Sequence, residues 1–425
     1  MFIKRLLITD FRNLHYIDLS PSPHFNFICG PNGSGKTSII EAIHYLALAR
    51  SFRSNSYQYL ITQGQSRFNL YAEVQEDNNV MPTSIGLSRE RGQDAVIKIN
   101  ATPISRLLEL IDHICVQIIH PQGVELITKE ADSRRGFIDW GVYYTDPEFK
   151  ELWWQYRKIL KQRNALLRQE AQAMGGRRVL RQRLKEAAQL QWQQPNWQQH
   201  NLQAEPVSAV SSVPSAQSAG RFFDQMSIWD EALASLSERI TQKRLKYLDD
   251  LQVILSDLLN DFLPHFKLKF ELNFGWEKGQ DLRAVLAQNL EKDRVLGYTS
   301  YGCHRADLKI KNNNLAAGAT LSRGQLKMLV YALRLAQGLL LKEQTNRSCI
   351  YLIDDLNSEL DDHSQRVLLE KLLQCQHQVF ISNISTISPD SLQLSADTDT
   401  RVFSLQQGAV EQVLTNARVS PKNAP

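Results

Sequence analysis

Apolar and polar positions alternate through Phe2-Ile3-Lys4-Arg5-Leu6-Leu7-Ile8-Thr9-Asp10, which predicts a strand. Phe11-Arg12-Asn13-Leu14 reads as a turn into a second strand. The run His24-Phe25-Asn26-Phe27-Ile28-Cys29 predicts a short buried strand, and Ser38 to Leu46 a helix. Period-two character returns at Tyr71-Ala72-Glu73-Val74-Gln75 and Ala95-Val96-Ile97-Lys98-Ile99. From Ile111 to Ile119 the chain is largely apolar, which predicts another buried strand, ending at His120-Pro121-Gln122. Residues 146–185 carry a helical pattern. So does Met226 to Leu263, where Leu233, Leu236, Ile240, Leu248, Leu251, Leu255, Leu258 and Leu259 recur at three- and four-residue spacing. The run Phe266 to Leu272 alternates as a strand, and Leu282 to Asp293 and Leu326 to Leu341 read as helices. Two more buried strands follow, Cys349 to Ile353 and Gln378 to Asn383.

Composition narrows the class. The 425 residues suffice for two or three domains, and 43% hydrophobic residues suffice for a real core. The net charge of +4 is mild, so a nucleic-acid surface must come from local clustering. The five cysteines are scattered without a C-x-x-C pair, which argues against a zinc site or a disulfide framework and suits a reducing cytosol. The N-terminus has no long apolar stretch of a signal peptide, and the run Leu326 to Leu341 is too short and too charged to span a membrane. The expectation is a soluble, cytoplasmic protein. Residues 191–220, rich in Gln, Ser, Ala and Pro, cannot bury a core and are expected to form a mobile insertion.

The stretch around which the chain is organised is Gly30-Pro31-Asn32-Gly33-Ser34-Gly35-Lys36-Thr37. It fits G-x-x-x-x-G-K-[ST] and sits between a predicted strand and a predicted helix, the context a phosphate-binding loop requires. Its glycines let backbone N–H groups curl around phosphates, and the helix N-terminus adds partial positive charge. Lys36 is expected to reach the β- and γ-phosphates, and the Thr37 hydroxyl to hold Mg2+. Far along the chain, Cys349-Ile350-Tyr351-Leu352-Ile353 ends in Asp354-Asp355, the form of a Walker B strand. Asp354 would hold Mg2+ and Asp355 would polarise the attacking water.

Leu321-Ser322-Arg323-Gly324-Gln325 precedes a predicted helix and resembles the L-S-G-G-Q signature of the ABC ATPase superfamily. In that superfamily the serine hydroxyl and the glycine N–H, here Ser322 and Gly324, face the γ-phosphate bound by another subunit. Asn357-Ser358-Glu359-Leu360-Asp361 matches the superfamily's D-loop. After the strand 378–383, where many ABC proteins carry a switch histidine, this chain has Ser382 and Asn383.

These motifs, with Phe11-Arg12-Asn13, Ser51-Phe52-Arg53, Ser133-Arg134-Arg135-Gly136-Phe137-Ile138-Asp139 and Gly302-Cys303-His304-Arg305-Ala306-Asp307-Leu308, resemble the bacterial RecF family of SMC-like head ATPases. The resemblance covers roughly 1–165 and 225–415. The chain departs from the family at Cys303, where proline is usual, and in the 191–220 insertion. The implied fold is α/β: an ABC/SMC-type ATPase head built on a P-loop sheet, with a mostly helical second lobe forming a short arm. The expected division is 1–135 and 296–425 for the head and 136–295 for the arm lobe.

The implied function is ATP-dependent recombination mediation in DNA repair, replication restart and the SOS response. ATP and Mg2+ would drive a homodimer around two nucleotides. The dimer would grip duplex DNA near single-strand gaps and, with RecR and RecO, help place RecA there, using slow ATP hydrolysis as a timer. Asp355, Lys36 and Ser322 would be the catalytic residues. By the resemblance Arg12 and Asn13 lie near the nucleotide and Arg53 approaches the phosphates. Gln122 is the candidate third metal ligand, with Gln117 as its competitor. His304, Arg305 and Asp307 would form an ion-pair network. Three other readings fit less of the chain. A transporter ATPase subunit needs a membrane partner, a structural SMC head needs hundreds of coiled-coil residues, and a small-molecule P-loop kinase lacks the signature and the D-loop.

Between 157 and 185 Lys and Arg cluster against the single acid Glu170. Arg157, Lys158, Lys161 and Arg168 are the candidate DNA contacts of this run. Trp153, Trp154 and Tyr156 form no stacking ladder, so the contact would be to the backbone. Charge reversal at Arg157, Lys161 and Arg168 is expected to weaken duplex binding and flatten its salt dependence. A titration over several salt concentrations in which both survive would remove the helix from the DNA interface.

Overall fold

The computed structural model describes residues 1–76, 80–104, 107–173, 216–356, 362–383 and 399–415. The expected D-loop, 357–361, lies outside them, as does the insertion up to residue 215 and the basic cluster 177–185. Residues 216–220, expected within the insertion, begin a helix, Ala216–Phe262.

The chain divides into two compact units. The first comprises Met1–Ser133, Leu248–Phe270 and Ile310–Pro425, the second Arg134–Tyr247 and Glu271–Lys309. The expected boundaries at 135 and 295 differ from this in two places. Residues 248–270 fall in the first unit because one helix, Ala216–Phe262, continues through the boundary, and 296–309 fall in the second. A helix has no need to break where the packing partner changes, so no composition shift marks the crossing.

The first unit holds two sheets. The antiparallel one has strand order β2-β1-β4-β5-β6-β7. Its members are β1 (Phe2–Phe11), β2 (Leu14–Leu19), β4 (Arg67–Gln75), β5 (Thr83–Glu90), β6 (Val96–Ile99) and β7 (Thr102–Pro103). The inward face of β1 changes from Ile3 to Leu6 and Ile8 because the register with β4 shifts between Ile3 and Arg5, the mark of a bulge. Strand β5 was not anticipated. It alternates inward Thr83, Ile85 and Leu87, but Gly86 and two serines blur the pattern.

The second sheet has order β15-β14-β3-β13-β12-β8. Its strands are β3 (Phe25–Cys29), β8 (Val116–Ile119), β12 (Ile350–Ile353), β13 (Gln378–Asn383), β14 (Thr400–Gln406) and β15 (Ala409–Thr415). All neighbours pair in parallel except β14 with β15. Every residue of β3, β12 and β13 is buried, so these strands read in the sequence as largely apolar runs without alternation. The run Ile111–Ile119 is corrected in part. Only its end is strand, and Leu107–His113 is a helix. A short apolar run does not distinguish the two, and the Asp112-His113 step belongs to a helix end. Gln378 reaches from β13 to the backbone of β1, accepting from Ile3 N at 2.8 Å and donating to Ile3 O at 3.0 Å and Ser22 O at 2.7 Å. This pins one sheet of the unit to the other without leaving the amide unpaired.

The remaining strands, β9 (Leu268–Asn273), β10 (Asp307–Asn312) and β11 (Leu315–Ala316), follow the long helix. The predicted helix 282–293 is two, Leu282–Gln288 and Leu290–Leu296, divided at Asn289. No helix among the described residues is long and apolar enough to cross a membrane.

In the second unit the helix Phe149–Ala173 runs antiparallel to the N-terminal part of Ala216–Phe262. Glu148 lies near Arg239, Arg163 near Asp230, and Leu167 packs with Met226 and Phe222. Arg157, Lys158, Lys161 and Arg168 are exposed. Arg163, a member of the same basic run, is fully buried. It donates to Asp230 at 2.7 Å, Asp293 at 2.8 Å and Thr299 at 2.9 Å. Burial pushes the Asp230 carboxyl up, and the Arg163 charge opposes that shift. His304 is not an ion-pair member. Its Nδ1 lies 2.6 Å from the Tyr156 hydroxyl, and burial pushes its pKa down to about 4. Asp307 pairs instead with Arg134 and Lys309. Cys303 is fully buried, and its carbonyl accepts from Arg244 at 2.7 Å.

Arg163→Ala leaves two buried carboxylates without their cation, so a loss of about 3–5 kcal/mol is expected for the unit. Calorimetry of the variant checks this. A melting temperature within about a degree of wild type would mean that water replaces the guanidinium at no cost.

Candidate nucleotide site

Four adjacent parallel strands bring the motifs together. Register pairs Ile353 with both Ile381 and Ile119, and Asn383 with Cys29. The chain therefore leaves β3, β13, β12 and β8 on one edge, where the carboxyl ends of an open parallel sheet form a ligand crevice. β3 is followed by the glycine loop, β12 by Asp354-Asp355 and β8 by His120-Pro121, while Ser382 and Asn383 end β13.

The loop is held in a backbone form that side chains resist. Gly30 and Gly35 have φ of 152° and 108°. A Cβ on Gly30 would lie 2.3 Å from the Leu405 carbonyl oxygen, and one on Gly35 2.5 Å from Leu14 Cδ2. Support comes from two sides. Asn13 donates to Gly33 O at 2.9 Å and accepts from the Ser38 hydroxyl at 2.8 Å. Gly408, in the β14–β15 turn, donates its N–H to Ser34 O at 3.0 Å. Its φ of 80° and the Asn13 carbonyl 2.2 Å from its Cβ position exclude any other residue there.

Lys36 begins the helix Lys36–Leu48, and its Nζ donates to Gly30 O at 2.8 Å and Pro31 O at 2.9 Å. An ammonium has three donors, so one remains for a ligand at the loop. Burial pushes the Lys36 pKa down, while the charges of Asp355 and Asp354 oppose the shift. The Thr37 hydroxyl donates to Asp354 Oδ1 at 2.8 Å, and the Ser382 hydroxyl donates to the same oxygen at 2.7 Å. Ser382 Oγ also accepts from Asp355 N at 2.9 Å. Asp355 holds a left-handed φ of 59°, an uncommon conformation for a non-glycine residue, which this hydrogen bond helps fix.

A cavity of about 710 Å³ opens over these groups. Asn32, Gly33, Gly35, Lys36, Thr37, Asp354, Asp355 and Ser382 line one part of it, and Arg12, Asn13, Arg53, Gln58, Tyr59 and Arg91 another. The volume suits a mononucleotide. The donor set fits a phosphate and a hard cation together. The Ser34 hydroxyl is buried behind the loop without a hydrogen-bond partner, and Thr37 and Asp354 offer two hard oxygens side by side. No cluster of three His, Cys, Asp or Glu exists among the described residues, so any Mg2+ would complete its shell with phosphate and water.

Gln122 does not line the cavity. It is exposed, with its Oε1 3.0 Å from His120 Nδ1. Gln117 is 1% exposed and engaged with Gln337 and Arg334 inside the core. Ser322 and Gly324 also lie outside this cavity. Ser322 caps the helix Arg323–Thr345 in a reciprocal capping box with Gln325, is exposed, and has open space at Gly324 beside it. Three contributors were missed. In the sequence Ser382 stands out only where a switch histidine is usual, and Gly408 sits in a turn between strands whose pattern is not distinctive. Glu41, which pairs with Arg12, is in the sequence a single acid in a helix, with nothing to mark its partner.

A family model described as RecF/RecN/SMC N terminal domain matches residues 2–411. The curated protein "DNA replication and repair protein RecF" of Psychromonas ingrahamii is 34% identical over 411 residues, covering 96% of this chain and 99% of its own. That of Vibrio vulnificus is 36% identical over 413 residues, covering 97% and 100%. The chain belongs to the RecF family. Among solved structures, the recombination mediator protein RecF with ATP in the RecFOR pathway superposes with a TM-score of 0.75 at 25% identity, covering 96% of this chain and 97% of that one. An Smc head domain from Pyrococcus furiosus, with an extended coiled coil, superposes at 0.51 and 15% identity, a likeness of fold alone. The expected ABC/SMC-type ATPase head fold therefore stands.

Ser382→Ala removes a donor to Asp354 and an acceptor for Asp355 N. It is expected to weaken Mg2+-dependent nucleotide binding about tenfold, the loss of roughly one buried hydrogen bond to a charged group. Binding in EDTA should be unchanged. Titrations with and without the metal separate the two, and equal losses in both would detach Ser382 from metal binding.

Proposed function

We propose that this protein is an ATP-dependent recombination mediator of DNA replication and repair. It binds ATP and Mg2+ in the Lys36–Asp354 cavity, dimerises around two nucleotides and engages duplex DNA at single-strand gaps. RecR and RecO are its partners in helping RecA onto the gap, in the cytoplasm and during the SOS response. The observation that carries this reading is a division of parts. Loop, paired acids and Ser382 share one cavity, while the exposed Ser322-Arg323-Gly324 lies outside it. A signature serine that is exposed at a helix N-terminus is available to a nucleotide held by a second copy.

In this reading the loop N–H groups and the third Lys36 donor hold the polyphosphate. Thr37 and Asp354 hold Mg2+, which when bound supplies charge stabilisation to the phosphate oxygens. Asp355 orients the attacking water and accepts its proton. Ser322 and Gly324 of the second copy donate to the γ-phosphate and thereby couple nucleotide state to dimerisation. Hydrolysis is slow and times the release of the dimer. The DNA grip belongs to Arg157, Lys158, Lys161 and Arg168, exposed on one helix, and is made to the phosphate backbone.

Asp355→Asn retains the ligand geometry and loses the base. Its mass in solution with ATP is expected to be that of a dimer, persisting on gapped duplex DNA. Ser322→Arg in the same measurement should bind ATP and stay monomeric. A monomeric Asp355→Asn under all conditions would remove the trans signature from the mechanism.

A further inference from the structure

Glu41 lies behind the wall of the cavity, not on it. Its side chain is 0% exposed, yet it meets two cations and a hydroxyl. Arg12 spans both its oxygens, Nε to Oε2 at 2.9 Å and Nη2 to Oε1 at 2.7 Å. Arg12 Nη1 donates to Tyr59 O at 2.9 Å. Arg53 Nη1 lies 3.4 Å from Oε2, and the Ser51 hydroxyl donates to Oε1 at 2.5 Å. Ser51 Oγ in turn accepts from the backbone N–H groups of Arg53 and Ser54, both at 2.9 Å. One buried carboxylate therefore fixes the β1–β2 turn and the loop 51–54 against the helix that carries Lys36 and Thr37. Arg12 and Arg53 line the cavity and Glu41 does not.

We propose that Glu41 is a positioning residue for the nucleotide. It holds the Arg12 and Arg53 guanidiniums so that their outward N–H groups meet an anionic ligand already oriented. The inference rests on the ATP reading above. The charge count supports it, since two guanidiniums against one carboxylate leave one positive charge on the cavity wall. The geometry supports it too. A guanidinium has five N–H donors in a rigid fork, and Glu41 and Tyr59 take three of those of Arg12. The other two are left at fixed angles. Arg12 itself stands at a left-handed φ of 59°, with its N–H held by Leu60 O at 2.7 Å, so its backbone is fixed as well as its head group. Preorganisation of this kind raises affinity by removing the ordering cost from the binding step.

The test is a double-mutant cycle read by ATP titration, with circular dichroism to establish that each variant is folded. Glu41→Gln alone is expected to weaken ATP binding about tenfold. In a chain already carrying Arg12→Ala and Arg53→Ala it should cost less than about twofold, because the groups it acts through are gone. Equal losses in both backgrounds would overturn the proposal, as would an unchanged affinity in Glu41→Gln. Arg12→Lys serves where Glu41→Gln does not fold. It keeps the charge but cannot span both Glu41 oxygens, and should lose as much affinity as Arg12→Ala. Wild-type affinity in Arg12→Lys overturns the proposal. Lys36→Met separates the two levels. If it binds ATP as wild type does, the cavity is not the ATP site and both readings fall. If it loses ATP while Glu41 losses are additive, only the positioning role falls.

Discussion

Strands β3, β13, β12 and β8 end on one edge of a sheet whose central members are buried on both faces, and the site exists only where those ends are level. Apolar side chains alone do not fix the level, since β12 is apolar on either face. The acids do. Sliding β12 by one residue into the sheet would carry the Asp354 carboxylate into the apolar interior, at a cost that packing cannot offset. The Asp354 N–H continues the ladder to Ile119 O at 2.9 Å, so the strand ends in register with β8 at the point where its chemistry begins. Thr37, in the first turn of the helix Lys36–Leu48, and Ser382, on the neighbouring strand β13, then meet one Asp354 oxygen, which ties the loop helix to the second motif.

Buried polar groups elsewhere do a related job. Gln378 satisfies backbone groups of β1 and of Ser22, so the two sheets of the first unit dock in one position. Arg163 satisfies two acids and a threonine within the second unit. Each of these contacts is strong because its surroundings exclude water, and each would be costly to leave half made. They specify an arrangement that apolar contacts alone would leave loose.

The basic helix illustrates how far residue type can mislead. Arg157, Lys161, Arg163 and Arg168 share a charge and stand on one helix. Arg163 lies seven residues after Tyr156 and four before Leu167, both buried, so helical spacing puts it on the packed face. The other three fall on the opposite side. That distinction was present in the sequence, in the periodicity rather than in the charge. The same holds in reverse for Arg12 and Glu41, whose partnership spans a turn and a helix and leaves no periodic trace.

Local spacing determined the phosphate loop, its strand and helix, the strand carrying Asp354-Asp355 and the capped helix at Ser322, because backbone conformation and burial on both faces are written in contiguous residues. The family resemblance followed from the same short motifs. Only the tertiary structure decided that Ser382 serves both acids, that Gly408 supports the loop from a distant hairpin, that Gln117 is core and Gln122 lies outside the cavity, and that Glu41 holds two arginines. Each of those depends on register between strands far apart in the chain or on which side chain fills a buried gap. Such contacts are set by packing in three dimensions, and a linear pattern carries no record of them.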